Sequence, residues 1–150
     1  MLSKLKLELG VNAVNKMSQM FKDIQLSKDL HAEFEKNPNN HTPGAELQSV
    51  QVLTNGNWPI EDRVTCEIPP ILKQIKTKFE RMYQNKFNNR KMSWLNQFGK
   101  LEVVTLFTAK TYNLTVNMFQ TAVLYKFNER ETWTYEELQK STDIPKRELD

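Results

Sequence analysis

A chain of 150 residues that is 39 % hydrophobic and 26 % charged can bury one core, and it has no apolar run near the ~18 residues that a membrane span needs. Its net charge of +3 is a mild surplus, and its one cysteine and two histidines exclude an internal disulfide and a zinc-ligand set built from Cys66, His31 and His41. The opening "MLSKLKLELG" alternates charge with leucine, unlike a secretory signal, so the expected setting is a reducing one, the cytoplasm and nucleus.

Leu5, Leu9, Ala13, Met17, Met20, Phe21 and Ile24 recur at three- and four-residue steps and predict one apolar helical stripe, with Gly10 its weak point. Ser27 is read as the cap of a second, shorter helix carrying Leu30 and Phe34, followed by the loop "NPNNHTPGA". The β-branched "SVQVLTNGNWP" is the first predicted strand, turned at Asn55-Gly56. Pro69-Pro70 opens a strong helix whose Leu72, Ile75, Phe79, Met82, Tyr83 and Phe87 share a face.

Beyond that helix the period drops from about 3.6 to about 2, and "KMSWLNQF", "LEVVTLFT" and "TYNLTVN" read as three short strands. Asn117 with Gln120 forms a capping box that starts a helix through "MFQTAVLYKF". A second capping box, Thr134 with Glu137, starts a helix that turns at Thr142-Asp143-Ile144-Pro145, with Pro145 suited to the first turn of another. Two short helices joined in this way are the front of a helix-turn-helix. The predicted class is α+β: a helical-bundle segment over residues 1–36, a small mixed sheet packed with helices over 47–131, and the start of a winged helix over 132–150. With only Leu149 to bury, residues 145–150 are expected to fray.

A search for chemistry finds little. Four glycines form no phosphate-binding loop, neither histidine neighbours a nucleophile signature, and acid-base residue types are scarce, so no catalytic residue, cofactor or metal is expected. Trp58, Trp94 and Trp133 read as core or subdomain-boundary anchors. Lys73, Lys76, Lys78, Arg81, Lys86, Arg90 and Lys91 lie in one run with Glu80 as the lone acid. That run reads as a solvated face, or as a surface for an acidic partner.

Taken in order, "MLSKLKLELG" with "MFKDIQLSKDLHAEF", "VQVLTNGNWP", "IPPILKQIKTKFERMYQNKFNNRKMSW", "LTVNMFQTAVLYKFNE" and "TYEELQKSTDIPKREL" resemble successive motifs of the cullin homology region. The likeness covers essentially the whole chain, and its tail looks closest to the cullin that partners BTB-domain adaptors. One difference is Asn89, where cullins usually have a glycine before the Arg-Lys pair. The resemblance implies a non-catalytic scaffold of a cullin-RING ubiquitin ligase. Its α/β subdomain would hold a RING-box protein by accepting a strand from it, and so position a ubiquitin-conjugating enzyme indirectly. An open sheet edge suits that mode. The residues it singles out for partner binding lie on or beside the predicted strands: Val50, Val52, Trp58, Trp94, Val103, Val104, Leu106 and Leu114. Lys73, Lys76, Lys86, Arg90 and Lys91 would form the basic surface. Neither DNA nor membrane is an expected partner. The alternatives are a winged-helix nucleic-acid-binding module and a standalone domain that sequesters a RING subunit.

Overall fold

The computed structural model describes residues 8, 10–60, 63–106 and 109–150. The fold is α+β, and the chain divides into two compact units, Met1–Glu61 with Ile75–Asn89 and Asp62–Gln74 with Arg90–Asp150.

The first unit is organised by α1, Val11–Lys36. It starts after Gly10, whose φ of 81° suits a residue without a Cβ. It then runs unbroken through Ser27, which corrects the expectation of a second helix capped there. Ser27 Oγ donates to the Asp23 carbonyl at 2.7 Å, one turn back, so the hydroxyl is satisfied inside the helix. The buried face carries Val14, Asp23, Ser27, Leu30 and Phe34. It is not the predicted stripe: Phe21 is 73 % exposed and Met17 42 %, while Leu5 and Leu9 lie outside the described residues. Counting apolar side chains alone misses a covered face that contains an aspartate and a serine.

Helix α2, Pro70–Lys86, takes Pro70 at its first position, where the missing N–H costs nothing. The Pro69 carbonyl accepts from the N–H groups of Leu72 and Lys73. Ile75, Phe79 and Tyr83 are buried at four-residue steps and Leu72, Met82 and Phe87 half-buried, so the predicted face is the observed one. Phe79 is fully buried, its ring 5.5 Å from that of Phe34. The loop between the helices is pinned by Lys78 Nζ, which donates to the His41 carbonyl at 2.6 Å and Thr42 Oγ1 at 3.1 Å.

The second unit holds an antiparallel pair, β1 (Lys100–Val104) and β2 (Asn113–Asn117), followed by α3 (Met118–Lys126), α4 (Tyr135–Thr142) and α5 (Lys146–Leu149). Both predicted capping boxes are present, Asn117 with Gln120 and Thr134 with Glu137. Val64, Phe119, Ala122 and Ile144 form the core, with Cys66, Val123 and Leu149 packed against it. Asp143, at φ 52°, ends α4 in the left-handed region that asparagine and aspartate tolerate.

Two expectations are corrected here. "KMSWLNQF" is not a strand: its end is a single 3-10 turn, Asn96–Phe98, in which Phe98 donates to Leu95 and Gly99 to Asn96. Those local bonds consume the groups that a ladder would need, and the sheet of the described residues has two antiparallel strands rather than a mixed set. The final residues are also better held than expected. They form α5, with Pro145 as its N-cap rather than its first residue. Leu149 packs on the core, and the Tyr135 hydroxyl donates to Asp150 at 2.6 Å.

Candidate partner-binding edge

The β-hairpin has one face of its backbone committed and one open. Thr105 donates to the Tyr112 carbonyl at 2.9 Å, and Met118 to the Gly99 carbonyl at 3.0 Å. Both pairs follow the register that sets Lys100 opposite Asn117 and Val104 opposite Asn113. In an antiparallel ladder, hydrogen-bonded and non-bonded pairs alternate. Leu101 and Val103 therefore bond inward to β2, and the N–H and C=O groups of Lys100, Glu102 and Val104 point outward. No second ladder covers them among the described residues.

The outer edge of β2 is less open. The Asn117 N–H donates to Gln120 Oε1 at 2.9 Å and its carbonyl accepts from Thr121 Oγ1 at 2.8 Å, so the capping box of α3 closes one end. The more accessible template is β1. Its apolar side chains are distributed accordingly: Val103 is half-buried opposite Leu114, Val104 is 52 % exposed, and Leu106 just beyond the strand is 88 % exposed.

The other predicted partner-binding residues lie elsewhere. Trp94 is half-buried in an irregular segment before the 3-10 turn. Val50, Val52 and Trp58 belong to the first unit and are not on a strand; residues 46–54 have no ladder, correcting the first predicted strand. Val50 is buried. The Val52 N–H donates to Ser27 Oγ at 2.8 Å, and the Trp58 indole N–H to Asp23 Oδ2 at 2.8 Å. The Asn55-Gly56 turn does form: Asn57 donates to the Thr54 carbonyl, with Gly56 at φ 81°.

Of the basic set, Lys73 pairs with Glu67 and Lys86 with Glu33. Lys76 is half-buried, and Arg90 and Lys91 are exposed. Lys76 and Lys86 fall in the first unit and Lys73, Arg90 and Lys91 in the second, so each group is described with its own unit.

Sequence reasoning missed the polar anchor on α1. Asp23 is 2 % exposed and accepts from Gln19 Nε2 at 3.0 Å, and from Thr54 N, Thr54 Oγ1 and Trp58 Nε1, each at 2.8 Å. Burial pushes its pKa up. The hydrogen bonds from the Thr54 backbone, the indole, the Thr54 hydroxyl and Gln19 outweigh that and hold it below the ordinary 3.8. The available signal was the Asp23–Ser27 spacing, which sets two short polar groups on one helical face next to Leu30 and Phe34. Among the described residues no group of three or more His, Cys, Asp or Glu could hold a metal ion, and no helix is long and apolar enough to cross a membrane.

Residues 52–150 match the family model for the cullin alpha+beta domain. The chain is similar to Cullin-4A of Mus musculus, 35 % identical over 150 residues, covering 99 % of this chain and 20 % of that protein. It is also similar to Cullin-1 of Dictyostelium discoideum, 36 % identical over 154 residues (96 % and 20 %), and to Cullin-3A of Arabidopsis thaliana, 32 % identical over 147 residues (97 % and 20 %). The chain spans about a fifth of the length of these curated relatives. They carry three different cullin numbers at near-equal identity, which gives little support to the expected closeness to the BTB-adaptor cullin.

Proposed function

The chain belongs to the cullin family, and on that premise we propose that it is a non-catalytic scaffold segment of a cullin-RING ubiquitin ligase. In this reading it holds a RING-box protein by strand addition at the β1 edge. The observation that supports the reading is that edge itself: the backbone groups of Lys100, Glu102 and Val104 point away from β2, beside exposed Val104 and Leu106. An incoming strand satisfies those donors and acceptors in register and gains alternate side-chain contacts, which give specificity. The RING-box protein then brings the ubiquitin-conjugating enzyme, so the segment contributes position rather than chemistry. Lys76 and Lys86 on the first unit, and separately Lys73, Arg90 and Lys91 on the second, add basic groups that draw in an acidic partner over a range set by salt. The proposed site of action is the cytoplasm and nucleus.

Co-expression with a tagged RING-box protein tests this. The expected result is co-elution that is lost in Val104→Pro, since proline removes an outward donor and leaves the inner ladder intact. Unchanged binding by a folded Val104→Pro variant would overturn strand addition. A ubiquitin-transfer assay on the complex separates a working scaffold from a domain that only sequesters the RING subunit.

A further inference from the structure

Residues 90–95 read Arg-Lys-Met-Ser-Trp-Leu and adopt neither helix nor strand. Arg90, Lys91 and Ser93 are exposed, whereas Met92, Trp94 and Leu95 are half-buried. The segment thus offers a hydroxyl and two cations on its outside and is anchored by its apolar side chains. A protein kinase takes its acceptor serine in an irregular, extended stretch. Arginine-directed kinases place carboxylates to pair with a guanidinium three residues upstream of the acceptor, a charge-assisted contact of high geometric specificity. Ser93 is the one serine or threonine in the chain with an arginine or lysine at that spacing. Some other hydroxyls are withdrawn, since Ser27, Thr42, Thr105, Thr121 and Thr142 are buried and Thr134 is engaged in its capping box; exposed ones such as Ser49, Thr65, Thr77 and Thr132 lack the upstream cation.

We infer that Ser93 is a phosphoacceptor for an arginine-directed serine/threonine kinase, with Arg90 and Lys91 as its recognition residues. The Ser93 oxygen attacks the γ-phosphorus of ATP, an O–P bond forms, and the bond from that phosphorus to the bridging oxygen breaks. The hydroxyl proton passes to the kinase's base and ADP leaves. The product adds about −1.5 to −2 charge at neutral pH beside two positive residues, so modification cancels the local positive charge of this segment. The inference stands on residues 90–95 alone and does not rest on the strand-addition reading.

The test is incubation of the native full chain with ATP and the catalytic domain of an arginine-directed kinase, with phosphate located by fragmentation mass spectrometry. A peptide spanning residues 88–97 serves as the labelling control. One phosphate on Ser93 is expected, absent in Ser93→Ala, and Arg90→Gln should slow incorporation at least about tenfold. Lys91→Gln gives a second reading of the recognition if Arg90→Gln does not fold. Equal incorporation into Ser93→Ala, a labelled peptide beside an unlabelled native chain, or rates indifferent to both cation substitutions would each overturn the inference.

Discussion

The Trp58 indole donates to Asp23 at 2.8 Å across 35 positions of sequence, and with it α1 holds the segment that leads to Trp58. Thr54 reaches the same carboxylate through its backbone and its hydroxyl, and Val52 reaches Ser27 one turn further on. Backbone donors that a β-ladder would have satisfied are satisfied by helix side chains instead.

Asp23→Asn should therefore cost about 1 to 3 kcal/mol. The amide oxygen can keep the Thr54 and Trp58 N–H groups, which share Oδ2, but the amide NH2 then faces the Gln19 amide donor and the Thr54 hydroxyl on the Oδ1 side, and every contact loses its charge assistance. The sign of the pH effect follows from the lowered pKa of Asp23. Its contribution is complete above the ordinary 3.8 and is lost as pH falls through the depressed native value. Urea unfolding from pH 7 down to pH 2 should show the wild-type advantage over Asp23→Asn shrinking only at the acid end. A constant gap across that range would mean that the carboxylate's charge is not what the segment uses.

The parts of this fold that were legible in the sequence are those whose partners lie within one turn. Asn117 finds Gln120, and Thr134 finds Glu137, three residues on, and the face of α2 repeats at four. What was not legible depends on distant partners. The β-branched run at residues 50–54 has strand-like propensity, but its register is set by side chains 25 and 31 positions away, and tertiary context overrides a weak local preference. The same cause hid the true buried face of α1. The candidate edge was half legible: the strands around Val104 and Leu114 follow from alternation, whereas which of their N–H groups face outward depends on the hairpin register.

The two aromatic residues Phe79 and Phe21 separate the observed faces from the expected ones. Phe79→Ala should cost about 3 to 5 kcal/mol, since it empties a fully buried site against Phe34. Phe21→Ala, on a side chain that is 73 % exposed, should stay within about 0.5 kcal/mol. Comparable losses in thermal unfolding would show that the stripe through Phe21 is covered in solution.

Proline scanning distinguishes the segments around Val52 and Val104, both of which read as strands in the sequence. Val104→Pro removes an outward N–H and should shift stability by less than about 1 kcal/mol, in keeping with the tolerance of edge positions. Val52→Pro removes the donor to Ser27 and should cost about 1 to 3 kcal/mol by leaving a buried hydroxyl with one partner fewer. The reverse order of stabilities would place the Val104 N–H inside the ladder to β2 rather than on its outer edge.

Charge reversal tests the basic surface. Lys86→Glu sets two carboxylates side by side by replacing the partner of Glu33, yet both positions are largely exposed and the loss should stay below about 1 kcal/mol. With Lys76→Glu added, association with an acidic conjugating-enzyme tail should slow at low salt and match the wild type near 1 M salt, where the screening length is about 3 Å. An unchanged low-salt rate would assign this run to solvation alone.

The C-terminal helix sets the last expectation. Four residues are far too few to hold a helix by hydrogen bonding alone, so α5 depends on what Leu149 touches. That side chain packs, partly buried, against the cluster of Val64, Phe119, Ala122 and Ile144, whose Ile144 is 1 % exposed. Removing residues 145–150 would uncover Ile144 as well as delete Leu149, and should cost about 2 kcal/mol, more than an ordinary surface change. Leu149→Ala should account for about half of that, because Ile144 stays covered by the remaining turn. Native-state amide exchange gives the independent readout: Glu148 and Leu149, whose N–H groups donate to the Pro145 carbonyl, should be protected in the wild type and exposed in Leu149→Ala. Free exchange at both in the wild type would show that the hydrophobic contact does not hold the turn.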